Sequence, residues 1–306
     1  MELVIHIGYP KCASTTLQKH LFARHPDISY LGIYPESNVG YDNQQLQRPC
    51  LALDDEKIKL LHETILSDDF EENKINYKSS INNIIESVSI DKKLMILSNE
   101  RFTSSVFTKS DITIYAKRLS YLFPGAKILM IVRDPFDLLL SQYRDQPFDP
   151  RDISNSGFLN FDEWLSIIFE YRQDILESLK FENIYGLYSE LFGEGNVLIL
   201  RLEKLNEVSN ELGKFLKITE DPFEDYLKGK KENLGTSEAF TRYRRLVRQL
   251  KKIIPQNRFS NFVKEKMTNL AKTALPKGRK KILFSSSSQS RVNKYFEQTK
   301  KFIELI

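Results

Sequence analysis

The sequence predicts an α/β fold: a doubly wound, mainly parallel sheet of about five strands, followed by a basic helical C-terminal part. Three observations carry that expectation. Short apolar runs of strand length recur along most of the chain, separated by longer segments of helical periodicity. The first run passes straight into a turn of small residues and then into a helix. Beyond Gly235 the strand-like runs stop, while charged segments of helical spacing continue.

The strand-length runs are Leu3–Ile7, Ser29–Ile33, Leu94–Ser98, Lys127–Val132 and Val197–Leu202. A helix is expected over Thr15–Ala23. Ile81, Ile84, Ile85 and Val88 mark another before the third strand, and Ile112, Tyr115, Leu119 and Leu122 one before the fourth. In the C-terminal part, Phe240, Tyr243, Leu246, Val247, Leu250 and Ile254 keep i, i+3, i+4, i+7 spacing. Arg242, Arg244, Arg245, Arg248, Lys251 and Lys252 fall largely on other faces of that helix. Phe259, Phe262, Val263, Met267 and Leu270 suggest a second helix, and Val292, Tyr295, Phe296, Thr299 and Phe302 a last one. The expected organisation is a core over residues 1–235 and a basic helical subdomain over 236–306 packed on it.

Composition narrows the functional classes. Of 306 residues, 41% are hydrophobic and 11% aromatic, enough for a packed core and against disorder. No apolar run reaches the roughly 18 residues of a membrane span, and the start of the chain lacks the pattern of a signal peptide. The expectation is a cytoplasmic protein, or one held on the cytoplasmic face of a membrane. Two cysteines, Cys12 and Cys50, are too few for a disulfide framework, and no Cys/His cluster has metal-ligand spacing, so no metal is expected. A net charge of +4 conceals an asymmetry: 21 Lys/Arg face 5 Asp/Glu from Lys228 onward, against 24 and 36 before it. That basic part is a solvated face or a contact for something anionic.

The densest chemistry lies just after the first strand, in His6, Ile7, Gly8, Tyr9, Pro10, Lys11, Cys12, Ala13, Ser14, Thr15 and Thr16. Small residues at a strand-to-helix turn let an anion approach successive backbone N–H groups, and the helix dipole reinforces them. Aligned on Gly8 with the ATP/GTP loop G-x-x-x-x-G-K-[ST], Ala13 replaces the second Gly and Ser14 the Lys. Lys11 instead projects from the leading edge, where a cation can neutralise a leaving group. The run Pro10–Thr16 resembles the 5′-phosphosulfate loop of sulfotransferases that use 3′-phosphoadenosine 5′-phosphosulfate (PAPS). It is nearest to the P-K-x-A-S-T form of carbohydrate sulfotransferases. The resemblance implies a P-loop-like donor site in which Lys11 contacts the bridging oxygen, and the run Cys12, Ala13, Ser14, Thr15, Thr16 surrounds the 5′-phosphate. PAPS would be the sulfuryl donor, and adenosine 3′,5′-bisphosphate (PAP) the product.

A second anion site is expected after the fourth strand. Arg133 stands at a strand end, Pro135 suits a first helical turn, and Ser141 follows about two turns along. The set resembles the family's 3′-phosphate motif, with Tyr143 nearby. A weaker resemblance covers Tyr185–Ile218. There Glu203 keeps the family's Glu, while Leu202 and Lys204 replace its common Tyr and Asp.

Transfer to a hydroxyl needs a base near the same sheet edge. The third strand runs into Asn99, Glu100 and Arg101, and Glu100 resembles the Glu base of carbohydrate-sulfating members. Beside Lys11 and Arg101 its carboxylate is expected to be ionised. His6, His20, His25 and His62 read as packing or surface residues. Cys12, at a helix start beside Lys11, reads as a thiol with a lowered pKa. The implied acceptor is a hydroxyl on a carbohydrate or glycolipid, and the basic C-terminal part would suit an anionic glycan or membrane surface. Two other classes stay open. A P-loop kinase or NTPase would require Mg²⁺ and an acidic metal residue such as Asp134. A nucleotide- or nucleic-acid-binding module would use the basic part, though no reader motif is present.

Overall fold

The structure, a computed structural model, describes residues 2–32, 55–88, 92–103, 111–145, 159–205, 207, 209–218 and 282–306. Among the described residues, five strands form one parallel sheet: β1 (Glu2–His6), β2 (Ile28–Gly32), β3 (Leu94–Ser98), β4 (Lys127–Val132) and β5 (Val197–Arg201), in the order β2-β3-β1-β4-β5. Every residue of β2 and β3 is buried, as a parallel sheet covered on both faces demands. The expected α/β class and strand number are therefore met. Registry fixes the functional edge: His6 pairs with Ser98 on one side and Leu129 on the other, and Val132 pairs with Arg201. From β1 the chain crosses to β2, and from β4 it passes outward to β5. The loops after β1 and β4 thus leave adjacent strands in opposite directions, the switch point where such sheets bind ligands.

The helices among the described residues are α1 (Ser14–Leu17), α2 (Asp55–Leu66), α3 (Phe70–Val88), α4 (Ile112–Leu122), α5 (Pro135–Asp145), α6 (Phe161–Tyr171), α7 (Gln173–Ser178), α8 (Phe181–Phe192), α9 (Ser209–Leu216), α10 (Ser286–Tyr295) and α11 (Glu297–Glu304). The chain divides into two compact units. One contains Met1–Asp134, Glu177–Glu232 and Gln298–Ile306; the other contains Pro135–Leu176 and Asn233–Glu297. The first holds the sheet. In the second, Phe136 of α5 packs edge-on against Phe161 and Phe284, and Tyr143 against Phe161 and Trp164. Its helix starts are capped in two ways. Asn160 and Glu163 form a reciprocal capping box, and Ser285 caps α10 while donating to the Asp162 carboxylate.

Two helices differ from their expected form. The segment after the first loop is α-helical for only one turn and then widens into a π-helix over Gln18–Phe22, closed by Ala23 N–H to the Gln18 carbonyl at 3.0 Å. That wide turn buries Gln18, His20, Leu21 and Phe22 together. The expected last helix breaks at Phe296, which is fully buried and leaves helical geometry at φ −101° and ψ 26°. The break lets α10 bury Val292 in one unit while α11 buries Thr299 and Ile303 in the other. The boundary expected at residue 235 and the basic helices expected around Phe240–Ile254 and Phe259–Leu270 lie outside the described residues.

Candidate functional site

The sheet ladder runs one residue beyond β1 on both sides. Ile7 N–H donates to the Leu129 carbonyl at 3.0 Å, and Asn99 N–H to the His6 carbonyl at 3.1 Å. The chain then departs through a loop with three left-handed residues, Gly8 (φ 76°), Lys11 (φ 70°) and Ala13 (φ 60°). At the two non-glycine positions this conformation costs on the order of 1 kcal/mol each. Tyr9 organises the loop interior. Its carbonyl accepts from Cys12 N–H at 3.2 Å and from the Ser14 hydroxyl at 3.1 Å, while its ring meets Phe181 edge-on at 4.8 Å. Leu17 N–H to the Ala13 carbonyl, at 3.0 Å, is the helix's first return bond. The amides of Ser14, Thr15 and Thr16 therefore precede the helical ladder, at its positive end. Lys11, Ala13 and Thr15 are half-buried, whereas Ser14 and Thr16 are buried.

Glu100 comes against this loop. A Cβ on Gly8 would lie 3.0 Å from Glu100 Cγ and 3.1 Å from its Cα, so only glycine allows both the turn and the approach. Burial pushes the Glu100 carboxyl above the ordinary carboxylate range, and the Ser14 hydroxyl and the Lys11 ammonium pull it back. Arg101, expected as a partner, is exposed, and the groups acting on the carboxyl are Ser14 and Lys11.

A chain of polar contacts, buried at His62, Ser98 and His6, holds the Glu100 turn. Asn99 caps the 3₁₀ turn Glu100–Phe102 by accepting from Arg101 N–H at 2.9 Å. The Asn99 amide donates to His62 Nδ1 at 2.9 Å, and His62 Nε2 donates to the Leu31 carbonyl at 2.9 Å. Because a carbonyl only accepts, the proton belongs on Nε2, and burial pushes the His62 pKa down to about 4. His62 is thus a neutral strut, and its ring stacks on Phe102. Next to it, Ser98 meets His6 Nδ1 at 2.8 Å and accepts from Gln18 at 2.9 Å. Burial lowers His6 to about 3. Thr103 donates to the Ile7 carbonyl at 2.8 Å and ties the turn back to β1.

On the other flank, Arg133 ends β4 and lies 3.8 Å from Glu203, which is also 3.8 Å from Arg201 at the end of β5. Cys12 senses both flanks. Burial raises its pKa far above the ordinary thiol value; Arg133 and Lys11 oppose the rise, while Glu100 and Glu203 add to it. Those four charges therefore share the surroundings of one loop residue. The same result corrects the expectation of a lowered thiol pKa: Cys12 is fully buried, and desolvation outweighs its neighbouring cations.

Lys11, Cys12, Ala13, Ser14, Thr15, Thr16, Glu100 and Arg133 all belong to the unit that holds the sheet. Ser141 belongs to the other unit, half-buried on α5, where Tyr143 donates to the Leu159 carbonyl at 2.9 Å. Among the described residues, no group of three or more His, Cys, Asp or Glu is arranged to hold a metal ion, and no helix is long and apolar enough to cross a membrane. Sequence reasoning missed the supporting roles of His62, Asn99, Ser98 and Gln18. Asn99, a capping residue type directly before Glu100, was the one local signal.

No family model matches the chain, and no curated protein matches it. Two solved structures are similar to it in outline. A sulfotransferase from Alicyclobacillus acidocaldarius has 17% identity and a TM-score of 0.44, covering 80% of this chain and 89% of that one. The sulfotransferase domain from the curacin biosynthetic pathway has 16% identity and a TM-score of 0.44, with 97% of each chain covered. At this distance the functional reading rests on the site's own residues.

Proposed function

We propose that the protein is a sulfotransferase that moves a sulfuryl group from PAPS to an acceptor hydroxyl, on a carbohydrate or glycolipid, with no metal required. The observation that carries this reading is the approach of Glu100 to the strained loop that bears Lys11: an acid–base group and a cation held at one strand edge. The loop's small residues, its helix start at Ser14 and its left-handed Lys11 and Ala13 are features suited to a phosphosulfate. Bound there, the donor supplies a sulfuryl group on a phosphate leaving group.

In that arrangement Lys11 neutralises charge on the bridging oxygen as the S–O bond breaks. Ser14, Thr15 and Thr16, with Ala13 and the Cys12 backbone, hold the 5′-phosphate. Glu100 takes the acceptor's proton as the new O–S bond forms, and its raised pKa makes it a better base than an ordinary surface carboxylate. Arg133, with Ser141, would recognise the 3′-phosphate. A cytoplasmic location, and contact of the basic C-terminal part with an anionic acceptor or membrane surface, complete the proposal.

Calorimetric titration with adenosine 3′,5′-bisphosphate, against ATP with Mg²⁺, tests it. Tight metal-free binding of the bisphosphate with much weaker ATP binding is the expected result. ATP–Mg²⁺ binding that is indifferent to a 3′-phosphate would overturn the reading in favour of a phosphotransferase.

A further inference from the structure

The end of the chain returns to the strand edge where Arg133 lies. Residues Gln298–Ile306 belong to the sheet-bearing unit, apart from α10 just before them. Three anchors hold this segment. Thr299, almost fully buried, donates to Glu182 on α8 at 3.0 Å, and Phe302 packs on Tyr185 at 5.7 Å. Lys204, in the turn after β5, donates to the Ile306 carbonyl oxygen at 2.6 Å. Between these anchors Lys300 reaches Asp134, the residue after Arg133, at 3.0 Å, with both side chains half-buried.

The charges at this edge explain why that pair matters. The ends of β4 and β5 carry Arg133, Asp134, Arg201 and Glu203, two guanidiniums against two carboxylates, while Lys204, next in the turn, is directed onto Ile306. Such a set is neutral overall and gives a phosphate dianion little net attraction, since Asp134 repels what Arg133 attracts. Lys300 brings a third cation and places it on the repelling carboxylate. We infer that Lys300 is a positioning residue for the 3′-phosphate: acting through Asp134, it masks the carboxylate beside Arg133 and leaves the edge net positive. The role makes α11 part of the donor site's electrostatic frame, and it rests on the donor reading above.

The test is a double-mutant cycle read by nucleotide binding alone. Affinities for adenosine 3′,5′-bisphosphate and for adenosine 5′-phosphate are measured by calorimetry in the wild type, Lys300→Met, Asp134→Asn and the double variant. Their ratio isolates the 3′-phosphate, whereas general loosening of the fold weakens both ligands alike. Lys300→Met should lower the ratio by about fivefold or more, fivefold being the size of a unit-charge interaction at roughly 4 Å screened as in bulk water. Adding Asp134→Asn should restore it, because no charge remains to be masked. An unchanged ratio in Lys300→Met, or a double variant as poor as Lys300→Met, overturns the masking role. A wild type with no preference for the bisphosphate instead overturns the donor reading itself. Lys300→Arg, which keeps the charge, should retain the ratio and serves as the folded control.

Discussion

The two flanks of the central loop are built on opposite principles. Toward β3, Glu100 sits on a turn held by neutral hydrogen bonds of 2.8 to 2.9 Å through Asn99, His62, Ser98 and Thr103. Toward β4 and β5, Arg133, Arg201 and Glu203 are half-exposed and joined by contacts of 3.8 Å, too long for hydrogen bonds. Short bonds fix a group in one place, and breaking the buried ones, at His6, His62 and Thr103, leaves a polar atom stranded. Half-exposed ion pairs of this length add little stability, so charge on this flank is placed mainly by the ends of β4 and β5. One flank is suited to aim a proton acceptor and the other to receive an anion.

That contrast can be broken at its centre first. Lys11→Ala should lower donor turnover by about 10²- to 10³-fold, the cost of removing one transition-state donor, while bisphosphate affinity survives. Wild-type turnover in that variant would remove Lys11 from the mechanism. Arg133→Ala comes next. It should erase a preference for the 3′-phosphate of about 10- to 100-fold, as expected for a charge-assisted fork, and that preference should also weaken as salt is raised. An unchanged preference would move the anion site elsewhere.

His62→Leu should act on the other flank alone. It strands the Asn99 amide and the Leu31 carbonyl, lowering stability by about 2–3 kcal/mol in thermal or denaturant unfolding, yet the 3′-phosphate preference should stay at the wild-type value. Loss of that preference would show that the flanks are not separate. Glu100→Gln should lose transfer while donor binding survives; its effect on stability is the smallest of the set and is read as a function of pH. A carboxyl whose pKa is raised in the folded state opposes folding once it is ionised, so its favourable contribution is lost as pH rises through that pKa. The variant should therefore gain stability relative to wild type at neutral pH but not well below the usual carboxylate range. Its rate profile should also lack the acid limb that a raised Glu100 carboxyl predicts for wild type above that range. An unchanged acid limb would assign the proton to another group.

What the sequence disclosed follows the same division. The places of Glu100 and Arg133 just past strand ends, and of Lys11 in the turn after β1, were legible because each follows an unbroken apolar run. The sheet was legible because its strands read as unbroken apolar runs, as in Leu94–Ser98. Their supports were not legible, because each partner is remote: His62 is 37 residues from Asn99, and Gln18 is 80 from Ser98. Only strand order brings such pairs together, and nothing in the local pattern distinguishes His62 from any other buried helix residue. The π-turn was hidden for a related reason, since the same apolar spacing serves a helix of either pitch.

Cys12 gives the loop a clock. Its thiol is fully enclosed and held in the protonated, unreactive form, so an alkylating reagent can reach it only when the Gly8–Ser14 turn comes away from the sheet. In a Cys50→Ser background, the rate of Cys12 labelling then counts those openings one by one. A nucleotide seated on the loop amides should slow the count, and thereby report its own arrival without any acceptor being present.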